Sequence, residues 1–347
     1  MKSIVKFFRK NHRPMVVAEM SGNHNNSLKY ALKTIEEAAK CGVDAIKFQT
    51  YTADTITIRS RKKDFLIKDK KSPWYGKNLH DLYKIGSTPW EWHPKLFRRA
   101  KECGILAFST PFDVTAVDFL EKFNVPCYKI SSFENTFHHL IKKASKTNKP
   151  LIISTGLATK QEIAESVKVA KKNNCKKLIL LKCVSSYPAD PSDVNLKTLL
   201  DMKNFFKCEV GFSDHTLGMG SAISSIALGA CLIEKHFTLS RKKKTVDSKF
   251  SMEPKEMKMF VNEIKNAWKS LGTIKYGPSR NELNSKKFRR SLYIVKNIRK
   301  GSKIKPEHLR AIRPGFGLPS KFYNKVIGKK AKKNIDEGTA FKMKFIK

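Results

Sequence analysis

The sequence predicts an α/β fold, a (β/α)8 TIM barrel followed by a small β-rich domain. The first observation is that eight short apolar runs recur with helix-like segments between them, a pattern typical of parallel β-α units. The second is that these runs end in polar residues. The third is a change of pattern near residue 289, beyond which short strand-like runs are interrupted by glycine and proline.

The eight apolar runs are the predicted barrel strands, in chain order. They are MVVAEM (15–20), AIKFQT (45–50), ILAFST (105–110), CYKISS (127–132), LIISTG (151–156), LILLKCVSS (178–186), EVGFSDH (209–215) and CLIEKHF (231–237). Helical periodicity between them is clear in residues 28–42, where Gly42 is placed to end the helix, and in residues 160–173. The predicted domains are a catalytic barrel over 1–272, a polar linker over 273–288 and the small domain over 289–347.

Polar residues at the ends of the predicted strands point to one site. The carboxyl ends of barrel strands meet at one face, where the active sites of such barrels lie. The residues are Glu19, Lys47 with Gln49, Ser109 with Thr110, Lys129 with Ser132, Ser154, Lys182 with Ser185, Asp214 with His215, and Glu234 with His236. Any one of them could be a cap or a satisfied core group. Polar residues at the ends of all eight strands are hard to explain by capping, so we expect an active site at this face of the barrel, which we call the mouth.

Two histidines at the ends of strands 7 and 8 are the candidate metal ligands. Neighbouring strands lie ~4.8 Å apart, so His215 and His236 can reach one ion. Two imidazoles with carboxylates nearby and open positions suit a catalytic divalent metal, with Mn²⁺ favoured and Mg²⁺ or Co²⁺ as alternatives. The competing interpretation is a pair of histidines hydrogen-bonded in the barrel rim. Lys47 and Lys129, with nearby serine hydroxyls, suit a phosphate and a carboxylate.

Composition narrows the class of protein further. The formal net charge is +40, but the lysines are spread over the whole chain, which favours a solvated basic surface over a nucleic-acid patch. The seven cysteines form no CxxC pair and are interpreted as reduced thiols. No apolar run approaches the ~18 residues that span a bilayer, and residues 1–14 lack a signal peptide's apolar region. We therefore expect a cytoplasmic protein that binds neither membrane nor nucleic acid.

Eight ordered motifs resemble the sialic acid synthase family. They are AEMSGNHNNS, AIKFQTYTADT, FSTPFD, YKISSFE, ISTGLAT, SSYPADP, GFSDHTLG and IEKHFTL. The later stretch GSKIKPEHLRAIRPGFG resembles that family's C-terminal antifreeze-like (SAF) domain, so the resemblance covers essentially the full chain. Within the family, residues 88–94, 247–254 and 313–319 are similar to pseudaminic acid synthases, whereas N-acetylneuraminate synthases usually carry histidine where this chain has Ser248.

The resemblance implies a metal-dependent condensation. Phosphoenolpyruvate, 2,4-diacetamido-2,4,6-trideoxy-L-altrose and water would give pseudaminate and phosphate, with the metal polarising the sugar aldehyde. Glu19, Glu234 and Asp247 would position or deprotonate the attacking water. The implied substrate-binding residues are Lys47, Gln49, Lys129, Ser132, Ser154, Ser185, Tyr187, Ser213 and Arg313. Arg313 would come from the SAF domain of a second subunit and contact the sugar's acylamino group, which requires a domain-swapped homodimer.

Three alternatives remain open at this point. The chain could be an N-acetylneuraminate or legionaminate synthase of the same family. It could be a class I aldolase in which Lys129, at a strand end, forms a Schiff base with substrate. A basic nucleic-acid- or surface-binding protein is the non-enzymatic alternative, although it leaves the ordered motifs unexplained.

Overall fold

The computed structural model of the protein describes Ile4, Phe7 and residues 12–347 apart from position 71. The chain divides into two compact units, Met1–Gly272 and Thr273–Lys347. Among the described residues, no helix is long and apolar enough to cross a membrane. The two units are described separately below.

The first unit is a closed barrel of eight parallel strands in sequential order. The strands are β1 (Met15–Glu19), β2 (Ala45–Thr50), β3 (Leu106–Pro111), β4 (Tyr128–Ile130), β5 (Leu151–Ser154), β6 (Leu178–Cys183), β7 (Glu209–Asp214) and β8 (Leu232–His236). The barrel closes between β1 and β8, with Val17 opposite Glu234 and Glu19 opposite His236. Each strand lies within one of the eight predicted runs, except that β3 extends one residue beyond its run, to Pro111, so the predicted barrel is confirmed.

In the described part of the first unit, ten α-helices accompany the strands. They are α1 (Leu28–Lys40), α2 (Ala53–Ile56), α3 (Leu79–Gly86), α4 (His93–Glu102), α5 (Val114–Glu121), α6 (His138–Ser145), α7 (Lys160–Lys172), α8 (Thr198–Phe206), α9 (Gly220–Ala227) and α10 (Pro254–Leu271). Local sequence explains their ends. Ser27 caps α1 through its side chain, and Gly42 takes the positive φ of 83° needed just beyond that helix. Thr159 and Glu162 form a capping box at the start of α7.

Alternation along each strand separates the two faces of the barrel wall. One set of side chains, including Val16, Phe48 and Phe212, packs outward in the apolar cluster that contains residues of α1, α4, α9 and α10. The other set fills the barrel interior in a second apolar cluster that includes Met15, Val17, Ala45, Phe108, Ile152, Leu181 and Leu232. Further along the same inward-facing rows the residues become polar. The apolar layer thus forms the floor of the site.

The second unit is small and β-rich. Strands β9 (Ser291–Ile294) and β10 (Leu309–Ile312) pair antiparallel, and the short helix α11 (Tyr323–Val326) follows. Leu292, Ile304, Leu309 and Phe341 are buried in a core of their own. Residues 273–288 precede this core and are exposed except at position 278.

Candidate active site

Four buried charged side chains form an ion network above the apolar floor. The Lys47 ammonium lies 2.7 Å from Glu19 Oε2 and 3.6 Å from Glu234 Oε1. The Lys129 ammonium lies 3.3 Å from the same Glu234 oxygen, and the Ser213 hydroxyl donates to it at 3.2 Å. Each charged side chain is no more than 5% exposed. Charges this well buried persist only when each is compensated, so this layer is a tightly balanced electrostatic site.

The two carboxylates of the network differ in acidity because their surroundings differ. Burial raises the pKa of Glu19 to about 7, since the attraction of Lys47 only partly offsets desolvation and Glu234 adds repulsion. Burial also disfavours ionised Glu234, but Lys129 and Lys47 outweigh it and lower the pKa of Glu234 to about 2. At neutral pH, Glu234 is therefore ionised while Glu19 is close to half-protonated.

Hydroxyl groups cluster beside the ion network at the ends of β4, β5 and β6. The Gly156 N–H donates to Ser132 Oγ at 3.1 Å. A Cβ atom at Gly156 would lie 2.4 Å from Ser185 Oγ and 2.7 Å from Ser132 Oγ, so only glycine lets both hydroxyls approach this backbone. Ser154 Oγ is buried and has no hydrogen-bond partner within the protein. An unused hydroxyl donor next to two lysines suits a polyanionic ligand.

The two candidate metal ligands lie close together at the ends of the adjacent strands β7 and β8. The rings of His215 and His236 have centroids 5.2 Å apart. His215 Nδ1 lies 2.8 Å from the Val184 carbonyl and must donate to it, so Nε2 has a free lone pair when the ring is neutral. His236 Nδ1 is buried without a hydrogen-bond partner, and burial, followed by His215 and Lys47, lowers the pKa of His236 well below its usual range. Burial disfavours the charged His215 ring, but the adjacent Cys183 outweighs burial and raises the pKa of His215. The nitrogens available as ligands are therefore Nδ1 of His236 and, once its ring is deprotonated, Nε2 of His215.

No group of three or more metal-ligating side chains occurs among the described residues. The pair of imidazoles nevertheless fits a catalytic metal, since a site with only two protein ligands leaves positions for substrate oxygens and water. The ring of Tyr187 lies against this pair, with its centroid 4.4 Å from that of His215 and 6.4 Å from that of His236.

A further buried carboxylate, that of Asp247, lies in the loop after β8. The Ser21 hydroxyl donates to Asp247 Oδ2 at 2.5 Å. Gln49 Nε2 donates both to Ser21 Oγ, at 2.9 Å, and to Glu19 Oε1, at 3.1 Å. Burial raises the pKa of Asp247, against the hydrogen bond from Ser21. A continuous chain of hydrogen bonds therefore joins Asp247 to the ion network.

The structure brings together most of the residues that the sequence singled out, with three departures. They are Asp214, Lys182 and Ser109, whose hydroxyl lies on the outer face of the barrel wall, 2.6 Å from that of Thr50. Asp214, expected at the mouth, instead pairs with Lys235 at 2.7 Å between two side chains that are 0% and 1% exposed. Asp214 and Lys182 alternate with the inward-facing Ser213 and Cys183, so their side chains leave the barrel on its outer face. Arg313 follows β10 in the second unit and is exposed.

Three residues of the candidate site were not predicted from the sequence. Ser21 and Gly156 lie one or two residues beyond strand ends, and their motifs, AEMSGNHNNS and ISTGLAT, were the signal that could have found them. Trp74 lies in a long segment without strand or helix periodicity, so no local sequence pattern indicated a role for it. Its contacts are described below.

The comparisons with known proteins agree with this geometry. A model of the NeuB family matches residues 34–276, and a model of the SAF domain matches residues 289–347. The chain belongs to the NeuB family. This confirms the resemblance to sialic acid synthases and the predicted barrel with a C-terminal SAF domain, and it makes the protein an enzyme.

The relatives of this NeuB-family chain whose names state an activity are synthases. It is 42% identical, over 96% of its length and 97% of the relative's, to the pseudaminic acid synthase of Campylobacter jejuni subsp. jejuni serotype O:23/36. It is 37% identical, over 94% of its length and 98% of the relative's, to the N,N'-diacetyllegionaminic acid synthase of Campylobacter jejuni subsp. jejuni serotype O:2. A crystal structure of the N-acetylneuraminic acid (sialic acid) synthetase from Leptospira borgpetersenii serovar Hardjo-bovis, in complex with citrate, aligns with a TM-score of 0.70 at 32% identity, covering 79% of this chain and 90% of that one.

Proposed function

We propose that this enzyme is a pseudaminic acid synthase. It condenses phosphoenolpyruvate with 2,4-diacetamido-2,4,6-trideoxy-L-altrose and water to give pseudaminate and phosphate. The observation that supports the reaction class is the presence of two buried lysines, a hydroxyl cluster and a close pair of imidazoles in one barrel mouth. The choice of sugar rests on the 42% identity to a pseudaminic acid synthase, against 37% to a legionaminic acid synthase.

Phosphoenolpyruvate fits the base of the mouth. Its phosphate and carboxylate need cationic and neutral donors, which Lys47, Lys129, Ser132, Ser154 and Ser213 supply. In the free enzyme the carboxylate of Glu234 balances the positive charges of Lys47 and Lys129.

His215 and His236 would hold a divalent metal, with Mn²⁺ favoured and Mg²⁺ or Co²⁺ as alternatives. When bound, the metal supplies a Lewis acid for the aldehyde oxygen of the sugar. Residues of the protein orient and cover the two imidazoles. Val184 fixes the His215 ring through its carbonyl, and Tyr187 covers the imidazole pair on one side. The aldehyde is thereby held next to the phosphoenolpyruvate site.

The covalent steps balance with the groups present. A bond forms between C3 of phosphoenolpyruvate and the aldehyde carbon, whose oxygen gains a proton and becomes a hydroxyl. Water adds to C2 and gives up its proton to a carboxylate, for which Glu19, Glu234 and Asp247 are the candidates. The C2–O bond to phosphate then breaks while the new C2 hydroxyl gives its proton to the departing phosphate, which leaves the 2-keto acid. Glu19 is the best placed of the three as a base, because its pKa lies near neutrality.

Labelled water tests this reaction class. In H₂¹⁸O, the account requires label in the keto acid product and unlabelled phosphate, because water attacks carbon and the C–O bond breaks. Label found only in phosphate would mean attack at phosphorus and would refute the mechanism. Mass spectrometry of both products gives the answer in one reaction.

We expect an acidic limb in the pH profile that belongs to Glu19. Because burial raises the pKa of Glu19 to about 7, kcat/KM should fall about tenfold per pH unit below that value if the ionised form is the base. The same raised pKa means that Glu19 stabilises the folded state at acidic pH, and this contribution is lost as the pH rises from about 4.5 through 7. Glu19→Gln should remove both dependences while lowering kcat. A limb that persists unchanged in Glu19→Gln would assign the base elsewhere.

The proposal includes a domain-swapped homodimer in which Arg313 serves the partner's barrel. Arg313 lines a groove of about 680 Å³ together with Arg290 and Arg310, all on the second unit. A guanidinium fork there suits the amide carbonyl of an acylamino sugar. The proposed cytoplasmic location and the absence of nucleic-acid and membrane partners remain predictions.

Mixing two chains that are each defective at one residue, with the sugar held well below its KM, tests the swapped arrangement. Arg313→Ala should raise the KM for the sugar about tenfold or more, and His236→Ala should remove the metal. If Arg313 acts in trans, heterodimers contain one site with both wild-type residues, so activity returns on mixing. Subunit exchange is verified by mass spectrometry of differently tagged chains. Verified exchange without recovered activity would contradict the arrangement.

A further inference from the structure

Trp74 lies over the barrel mouth although it belongs to the segment between α2 and α3. Its indole N–H donates to the Val246 carbonyl at 3.0 Å, a contact between residues 172 positions apart in the chain. Val246 immediately precedes Asp247, whose carboxylate accepts from Ser21. The hydrogen bond therefore fixes the indole at the edge of the candidate active site.

The Trp74 ring continues a run of aromatic rings that starts at the imidazole pair. Its centroid is 5.7 Å from that of Tyr187, which in turn lies 4.4 Å from His215 and 5.1 Å from Phe250. Phe250 is buried, whereas Trp74 is only partly buried. The run thus leads from the two imidazoles at its inner end to Trp74 at its outer end.

The surface that Trp74 presents to a ligand is apolar. Its only hydrogen-bond donor is already used by the Val246 backbone, so the indole presents its faces and carbon edges. Such surfaces bind C–H and methyl groups and reject hydroxyls that would lose water without a partner. The aromatic run offers one direction in which the far carbons of a sugar can extend when its aldehyde lies at the imidazole pair.

We propose that Trp74 determines specificity by packing against the far, apolar end of the sugar. The inference rests on the proposed function, in which the substrate carries a methyl group at C6 and two acetamido methyl groups. A C6-hydroxylated analogue would place a hydroxyl against the indole, and no free donor or acceptor of Trp74 would satisfy it. Trp74 therefore selects 6-deoxy sugars over hydroxylated ones.

Two substitutions separate recognition from a merely structural role. Trp74→Phe keeps an aromatic face but loses the hydrogen bond to Val246, and Trp74→Ala loses both. If Trp74 recognises the sugar, Trp74→Ala raises the sugar's KM about tenfold, equivalent to about 1.4 kcal/mol, with kcat and the KM for phosphoenolpyruvate nearly unchanged. Trp74→Phe recovers most of this loss. The neighbouring Tyr75, whose exposed fraction is 53%, gives a matched control as Tyr75→Ala, which should behave as wild type.

The comparison of sugars completes the test. Trp74→Ala should also reduce the preference for the 6-deoxy sugar over its C6-hydroxylated analogue about tenfold. Equal losses in Trp74→Phe and Trp74→Ala, expressed mainly in kcat, would show that Trp74 only anchors the Asp247 segment and would overturn the inference. Wild-type turnover of the trideoxy sugar tests the proposed function separately. If wild type uses another sugar, the function fails, and the same KM pattern measured with that sugar still decides the role of Trp74.

Discussion

Glu234→Gln is expected to lower kcat by at least about 10²-fold and to destabilise the fold by about 3–5 kcal/mol. Glu234 is the counter-ion of Lys129, 3.3 Å away, and also faces Lys47. Removing its charge leaves a buried ammonium without compensation and removes a carboxylate from the water-activating set. Thermal or urea unfolding and steady-state kinetics measure the two effects.

The pH dependence of stability gives an independent check on Glu234. Despite burial, Lys129 and Lys47 lower the pKa of Glu234 to about 2, so its contribution is present above about pH 4.5 and is lost as the pH falls toward 2. The variant should lack this loss. Glu263→Gln, on the exposed surface of α10, is the matched control and should change neither stability nor rate. A Glu234→Gln enzyme with wild-type stability and kcat would contradict the ion network as described.

Removing the metal is expected to abolish turnover. With the Lewis acid gone, the rate should fall on the order of 10³-fold, equivalent to about 4 kcal/mol, and Mn²⁺ should restore it. His236→Ala should lose Mn²⁺ binding, measured by calorimetry, with the barrel intact by circular dichroism. His236 is suited to this role because its buried Nδ1 has no partner within the protein.

The control for the metal prediction is His139→Ala, since His139 is exposed on α6. It should bind Mn²⁺ and turn over as wild type. Full activity in chelator after exhaustive dialysis would refute the metal assignment. So would unchanged Mn²⁺ affinity in a folded His236→Ala variant.

Much of the fold could be predicted from the sequence because each barrel strand is a short local signal. Runs such as residues 45–50 and 151–156 contain a strand each, at Ala45–Thr50 and Leu151–Ser154. Strand β4 is shorter than predicted, at Tyr128–Ile130. The polar residues beyond it, including Ser132, belong to a loop whose position depends on Gly156, a contact that no local pattern encodes.

The site was predictable where alternation determines side-chain direction and not where it depends on distant contacts. Glu19, Lys47 and Glu234 follow the inward-facing rows of β1, β2 and β8, and the structure brings them together. Asp214 was expected at the mouth because it ends an apolar strand, but its place in the alternation directs it outward to Lys235. Trp74 reaches the mouth only through a hydrogen bond across 172 positions, which lies beyond any sequence window.

The identity of the product tests the central claim most directly. The full-length enzyme is incubated with phosphoenolpyruvate, Mn²⁺ and, separately, the trideoxy-L-altrose sugar and the precursors of legionaminate and N-acetylneuraminate. Mass spectrometry should find a nine-carbon 2-keto acid with the mass of pseudaminate, formed from the L-altrose sugar with kcat/KM above that for the other two. Preferential turnover of either other precursor, or no condensation with any of them in the presence of metal, would contradict the account.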